Sequence, residues 1–135
     1  NFDGIILAAA GLKRLGLLEQ DTYEYTFLAP EEFIPAGGQG LMAVEAKAGA
    51  AAHSLAQAMD HAQGRLCLDL ERSVLKQLDA GCHEPIGIYS VLQNGQLEVW
   101  GISSPREEVK RIHLTGGTSR RDIEKLASEA WKGLM

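Results

Sequence analysis

The stretch IGIYSVLQNGQLEVWGIS, residues 86–103, decides how the second half of this chain folds. Two apolar runs, Ile86 to Leu92 and Leu97 to Ser103, flank the dipeptide Asn94-Gly95. A two-residue hairpin turn needs positive φ at both central positions, and asparagine and glycine tolerate that best. The spacing therefore predicts an antiparallel hairpin. Ser104-Pro105-Arg106 reads as a second turn, and Glu107 to Leu114 as a third strand with Val109 and Arg111 alternating with polar partners. Gly116-Gly117 ends it.

On either side the period changes from two to 3.6. Leu66, Leu70, Val74 and Leu78 recur every fourth residue within Arg65–Leu78, which predicts a helix with one apolar stripe. Cys67 lies near that stripe as a core cysteine, and Leu75 widens it. Asp69, Glu71, Arg72 and Lys76 are assigned to the opposite, solvated face. Ala80-Gly81 is a helix stop. Downstream, Thr118 or Ser119 is placed to cap a last helix running to about Lys132, with Ile123, Leu126, Ala127, Ala130 and Trp131 on one face. Helix, three-stranded meander, helix is an α+β unit with its helices on one side of the sheet.

The first half reads differently. Gly4 to Ala8 is a short apolar run that suggests a buried strand. Ala9 to Leu15 is rich in helix formers and stops at Gly16. Tyr23 to Leu28 and Leu41 to Ala46 read as two more short strands. Between them, Ala29 to Gly40 holds two prolines and three glycines, the composition of a connection and of a domain crossover. Gly49 to His53 reads as a loop, and Ser54 to His61 as a short helix.

Composition excludes several function classes. Thirteen basic against 18 acidic residues give a net charge of −5, which disfavours a nucleic-acid or anionic-membrane binder that relies on bulk field. Two cysteines are too few for a disulfide scaffold. His53, His61, His83 and His113 lack zinc-ligand spacing. The longest apolar run, Ile5 to Ala10, is too short to span a bilayer and lacks the basic flank of a signal peptide. A reducing, cytoplasmic location is the expectation. The chain also opens on Asn-Phe-Asp-Gly rather than methionine, which suggests a piece of a longer protein.

Two stretches are candidates for chemistry. In LDAGCHEPIGIY, residues 78–89, Cys82 sits on a loop between a helix stop and a strand. Loops are exposed and Gly81 permits unusual backbone angles, so Cys82 is more reachable than Cys67. From the residues alone it remains either a small buried hydrophobe or a reactive thiol. A protease-type Cys82–His83 pair lacks a third member and an oxyanion loop. Gly37-Gly38-Gln39-Gly40 has neither the Lys-Ser/Thr of a phosphate loop nor the spacing of a dinucleotide site. It reads first as a flexible crossover.

Taken together, DGIILAAAGLKRLGL (residues 3–17), PAGGQG (35–40) and ERSVLKQLDAGCHEPIG (71–87) stand in the order and spacing of the porphobilinogen deaminase, or hydroxymethylbilane synthase, family. The resemblance covers nearly the whole chain, and Gly-Cys-x-x-Pro-Ile-Gly is its attachment signature. It implies a transferase of tetrapyrrole (heme) biosynthesis that builds hydroxymethylbilane from four porphobilinogen units on a dipyrromethane cofactor. Cys82 would carry that cofactor through a thioether. A thiolate suits the role because it captures the electrophile formed as ammonia leaves. Arg14 matches an arginine that binds the pyrrole carboxylates, and a planar guanidinium can hold a carboxylate with two bonds. Gln39 and Gly40 match a pair beside the cofactor.

The resemblance further implies three domains, the first two like periplasmic binding proteins. On that mapping residues 1–34 are the tail of the second α/β domain. Residues 35–59 are the crossover and return segment of the first, and residues 60–135 are the cofactor-carrying α+β domain. The whole is thus an α+β fold preceded by remnant strands and a helix of α/β domains. The family's catalytic aspartate lies upstream of the matched motifs, so no catalytic residue is assigned here and the isolated chain is expected to be inactive. Lys47 stands near the place of a family arginine. Unpaired strands near Ile5 and Leu41 are expected to favour rearrangement or oligomerisation. A non-catalytic small-ligand binding or regulatory module and a thiol redox protein using Cys82 are the competing classes.

Overall fold

The computed structural model describes residues 3–20, 23–78, 85–104 and 108–135. Its element order is helix α1 (Ala9–Arg14), a short 3-10 helix (Leu17–Glu19), α2 (Ala51–Ala58), α3 (Ala62–Gln77), strands β1 (Ile86–Gln93), β2 (Gln96–Ser103) and β3 (Lys110–Gly116), and α4 (Arg120–Leu134).

The hairpin forms in the expected register. Gln93 pairs with Gln96 across the turn and Ile86 with Ser103 at the open end. Asn94 has φ 50° and Gly95 φ 76°, the two positive values this turn type demands. β3 pairs antiparallel with β2 from Leu97↔Gly116 to Ser103↔Lys110, so the sheet order is β1-β2-β3. β3 starts at Lys110, later than the predicted Glu107. Pro105, Arg106 and Glu107, with the second turn assigned to them, lie outside the described residues.

Alternation along the strands separates two faces. Ile88, Leu97 and Val99 are fully buried under α3 and α4 with Leu70, Val74, Ala127, Ala130 and Leu134. Fully burying a leucine or valine contributes about 1.5–3 kcal/mol each, so this cluster is what holds the unit together. The other face carries Tyr89, Trp100 and His113 in register. Their rings stack at centroid distances of 5.8 and 4.5 Å.

α4 begins with a capping box. Ser119 Oγ accepts from Asp122 N at 3.2 Å, and the Asp122 carboxylate accepts from Ser119 N at 3.3 Å. This satisfies two amides that have no partner within the helix. At its far end Ser103 Oγ donates to the Leu134 carbonyl at 2.6 Å, which ties β2 to the last turn. α3 is capped by His61, whose Nδ1 accepts from Gly64 N at 3.1 Å. That use of His61 corrects two boundaries. The helix predicted over Ser54–His61 lies instead at Ala51–Ala58, and α3 starts at Ala62 rather than Arg65. Ala51 and Ala52 extend the shorter helix backwards because alanine is the best helix former.

The first half departs from the sequence-based expectation in a second way. α1 forms as predicted and ends at Gly16, which has φ 65°. Gly4–Ala8, Tyr23–Leu28 and Leu41–Ala46 are not strands: no strand partner for them exists among the described residues. Ile5 and Ile6 are about 70% exposed (74% and 69%) and Met42 is 85% exposed. A strand is a paired object, and an apolar run without a partner ladder or a covering layer remains open backbone. The α+β class is carried by residues 62–134.

Candidate functional site

The crossover segment is held tightly to the C-terminal unit. Arg111 Nη2 donates to the Glu32 carbonyl at 3.1 Å on the sheet face away from the helices. The chain then turns around the open edge of β1, where Ile88 N donates to the Pro35 carbonyl at 2.8 Å. Gly87 makes this approach feasible: a Cβ there would lie 2.5 Å from the Ile34 carbonyl oxygen. Gly37 then packs under β1, where a Cβ would lie 2.7 Å from both Leu75 Cδ1 and Ile88 Cγ2. Two successive turns follow, with Gln39 N donating to Ala36 O at 3.1 Å and Leu41 N to Gly38 O at 3.1 Å.

Glu71 closes the arrangement. Assigned from sequence to the solvated face of α3, it is in fact buried, with 5% exposure. Its Oε1 accepts from Ser90 N at 2.8 Å and from Ser90 Oγ at 2.9 Å, and its Oε2 accepts from Gly38 N at 2.7 Å. A buried carboxylate is tolerated when its lone pairs are filled in this way. The position of Glu71 on the helix was legible in the sequence, though its partners were not. It falls at i+4 from Cys67 and i−3 from Val74, inside the apolar stripe rather than opposite it.

These bonds fix the turn that carries two of the predicted site residues. Gln39 and Gly40 are exposed on the turn that immediately follows the Gly38–Glu71 contact. α3 ends at Gln77 and β1 begins at Ile86, so the link that carries Cys82 springs from the two elements that Glu71 bridges. Cys82 itself, with Gly81 and His83, lies outside the described residues. Arg14 is exposed in the last turn of α1, and no hydrogen bond among the described residues joins it to Gln39 or Gly40.

The other titratable groups are less suggestive. Cys67 is half-buried against the core, and burial pushes its thiol above the ordinary range. The Glu71 charge adds to that shift and the Ser90 hydrogen bond opposes it. A protonated thiol is a poor nucleophile, which fits a packing role. A groove of about 1000 Å³ runs between α3 and the start of α4, lined by Arg72, Lys76 and Arg120 with Asp69 and Glu124 among them. It holds none of the predicted site residues. Arg120 is engaged by Glu124 at 3.1 Å, so the groove is a solvated seam between two helices. Among the described residues no cluster of His, Cys, Asp or Glu could hold a metal ion, and no helix is long and apolar enough to cross a membrane.

Comparison with known proteins finds two family models that match this chain in succession. A family model described as porphobilinogen deaminase, dipyromethane cofactor binding domain, matches residues 1–54, and one described as porphobilinogen deaminase, C-terminal domain, matches residues 65–131. Among similar curated proteins, the porphobilinogen deaminase of Clostridium acetobutylicum is 43% identical over 99 residues, covering 73% of this chain and 33% of that protein. That of Chromobacterium violaceum is 44% identical over 102 residues, covering 75% and 32%. That of Clostridium perfringens is 37% identical over 116 residues, covering 86% and 39%. The matched region thus spans roughly a third of these relatives' length. With both matches in chain order and the second lying on the helix–meander–helix unit, this chain belongs to the porphobilinogen deaminase family.

Proposed function

We propose that this chain is the C-terminal portion of an enzyme that joins four porphobilinogen units into hydroxymethylbilane, releasing ammonia at each addition. The observation that carries the reading is the succession of the two family matches along one chain. In this reading residues 1–34 belong to a second α/β domain and residues 35–59 return through a first. Residues 60–135 form the cofactor-carrying unit, and the enzyme works in the cytoplasm.

The described residues suit a primer that bears carboxylates. Arg14 presents an exposed guanidinium with no ion pair among the described residues. Gln39 presents an exposed amide, and Gly40 an unhindered backbone. Arg14 would bind and orient a carboxylate by a two-pronged contact, which lysine cannot reproduce. The Gln39 side chain and the Gly40 amide would donate from the crossover turn. Cys82 would hold the dipyrromethane through a thioether. When bound, the primer supplies the pyrrole carbon to which each new unit is joined.

Intact-mass measurement of the natively purified full-length protein tests this. The expected result is an increment of two pyrrole units that disappears in Cys82→Ser together with turnover. An unmodified Cys82, with turnover unchanged in Cys82→Ser, overturns the reading. Arg14→Ala should raise KM for porphobilinogen by about tenfold, a loss typical of one charge-assisted contact. The isolated 135-residue chain should form no tetrapyrrole.

A further inference from the structure

We propose that Glu71 is a positioning residue: it sets where Gln39 and Gly40 stand relative to the end of α3 and the start of β1, the two elements between which the Cys82 link runs. The inference deepens the functional reading above and rests on it for the roles of those three residues. The geometry behind it does not.

A carboxylate is a costly way to fill the space between a helix and a sheet. An aliphatic side chain of similar volume would serve packing as well or better. What the carboxylate adds is direction. Its three donors come from two segments outside its own helix, Ser90 on β1 and Gly38 on the crossover. Glu71 therefore fixes three pieces of chain against one another: α3, which leads into the Cys82 link; β1, which leads out of it; and the turn that presents Gln39 and Gly40. The Ile88–Pro35 and Arg111–Glu32 bonds anchor the same strap upstream, but neither reaches as far as Gly38. The Glu71 bond is the last fixed point before Gln39.

Substitution to glutamine separates positioning from stability. In Glu71→Gln the side-chain oxygen can still accept from Ser90 N and Oγ. The new NH2 group then faces the Gly38 N–H, donor against donor. Ser90→Ala is the control, removing the hydroxyl while both backbone amides keep their acceptor. Gly87→Ala displaces the strap without touching Glu71, because the added Cβ meets the Ile34 carbonyl.

The experiment uses the full-length enzyme and three readouts: hydrogen exchange at the Gly38 amide, primer occupancy by intact mass, and kcat against KM for porphobilinogen. In Glu71→Gln the Gly38 amide should lose about tenfold in protection while β2 amides keep theirs. Primer occupancy or kcat should fall by about tenfold, as misplaced groups cost. Gly87→Ala should share the functional loss, and Ser90→Ala should stay within about twofold of wild type. Should Glu71→Gln fail to fold, Gly87→Ala decides the functional arm. The proposal is overturned if Gly38 protection is unchanged in Glu71→Gln. It is equally overturned if protection is lost while occupancy and kcat stay at wild-type values. A wild-type enzyme without a primer on Cys82 would instead sink the functional reading and this inference with it. The Gly38 exchange data would then still report whether the clamp exists.

Discussion

The backbone amide of Gly38 donates to Oε2 of Glu71 at 2.7 Å, joining residues 33 positions apart in sequence. This bond and the two from Ser90 make one buried carboxylate the meeting point of helix, sheet and crossover. Glu71→Ala leaves Gly38 N, Ser90 N and Ser90 Oγ without their acceptor. A cost of about 2–5 kcal/mol in unfolding free energy follows from stranding buried donors. Denaturant titration of the 135-residue chain measures it, and a change under 1 kcal/mol, roughly the worth of one ordinary hydrogen bond, would contradict the burial of this cluster.

The N-terminus of α4 gives a smaller prediction. Ser119→Ala removes the side-chain acceptor for Asp122 N and half of the capping box. The expected loss is about 1 kcal/mol, within the range of about 0.5–2 seen for such caps. Ser119→Asp, which keeps an acceptor, should recover most of it in the same thermal or chemical denaturation series.

Stability should fall in alkaline solution. Burial, joined by the Glu71 charge, raises the Cys67 thiol above its ordinary value of 9.0 despite the Ser90 hydrogen bond. Burial, followed by the Glu31 charge, raises Tyr89 above 10.0. The unfolded chain ionises first as pH rises, so the native state binds more protons and loses stability from about pH 9 upward. Below that value the contribution is fully present. Melting temperatures taken across this range should decline, and Cys67→Ala should flatten the first part of the decline. An unchanged slope in that variant would refute the assignment to Cys67.

The first half of the chain should be dynamically distinct. Gly4–Ala8, Tyr23–Leu28 and Leu41–Ala46 carry exposed apolar side chains and no ladder bonds among the described residues. Their amides should exchange near the rate of an open chain, while those of β1 and β2 stay protected. Exposed Ile5, Ile6, Phe27 and Met42 should also drive concentration-dependent association. Light scattering of the isolated chain across a dilution series checks this, and a strict monomer at every concentration would contradict it.

The elements of residues 62–134 were readable from local pattern because each carries its own signal. Asn94-Gly95 demanded a tight turn, the 3.6-residue stripe marked α3, and Thr118-Ser119 marked the start of α4, where Ser119 is the cap. The family likewise stood in the sequence as motifs in order along the chain, and the matches to residues 1–54 and 65–131 show it; the roles of Arg14, Gln39, Gly40 and Cys82 belong to the proposal above. Two things only the tertiary structure decided. The apolar runs near Ile5, Tyr23 and Leu41 had the composition of strands, but strands exist only where a second backbone supplies the ladder, and none does among the described residues. Glu71 had the composition of a surface residue. Its burial depended on donors from two residues, one 33 positions before it and one 19 after it. A charge enters a core only when distant backbone is there to meet it, and no local pattern encodes that meeting.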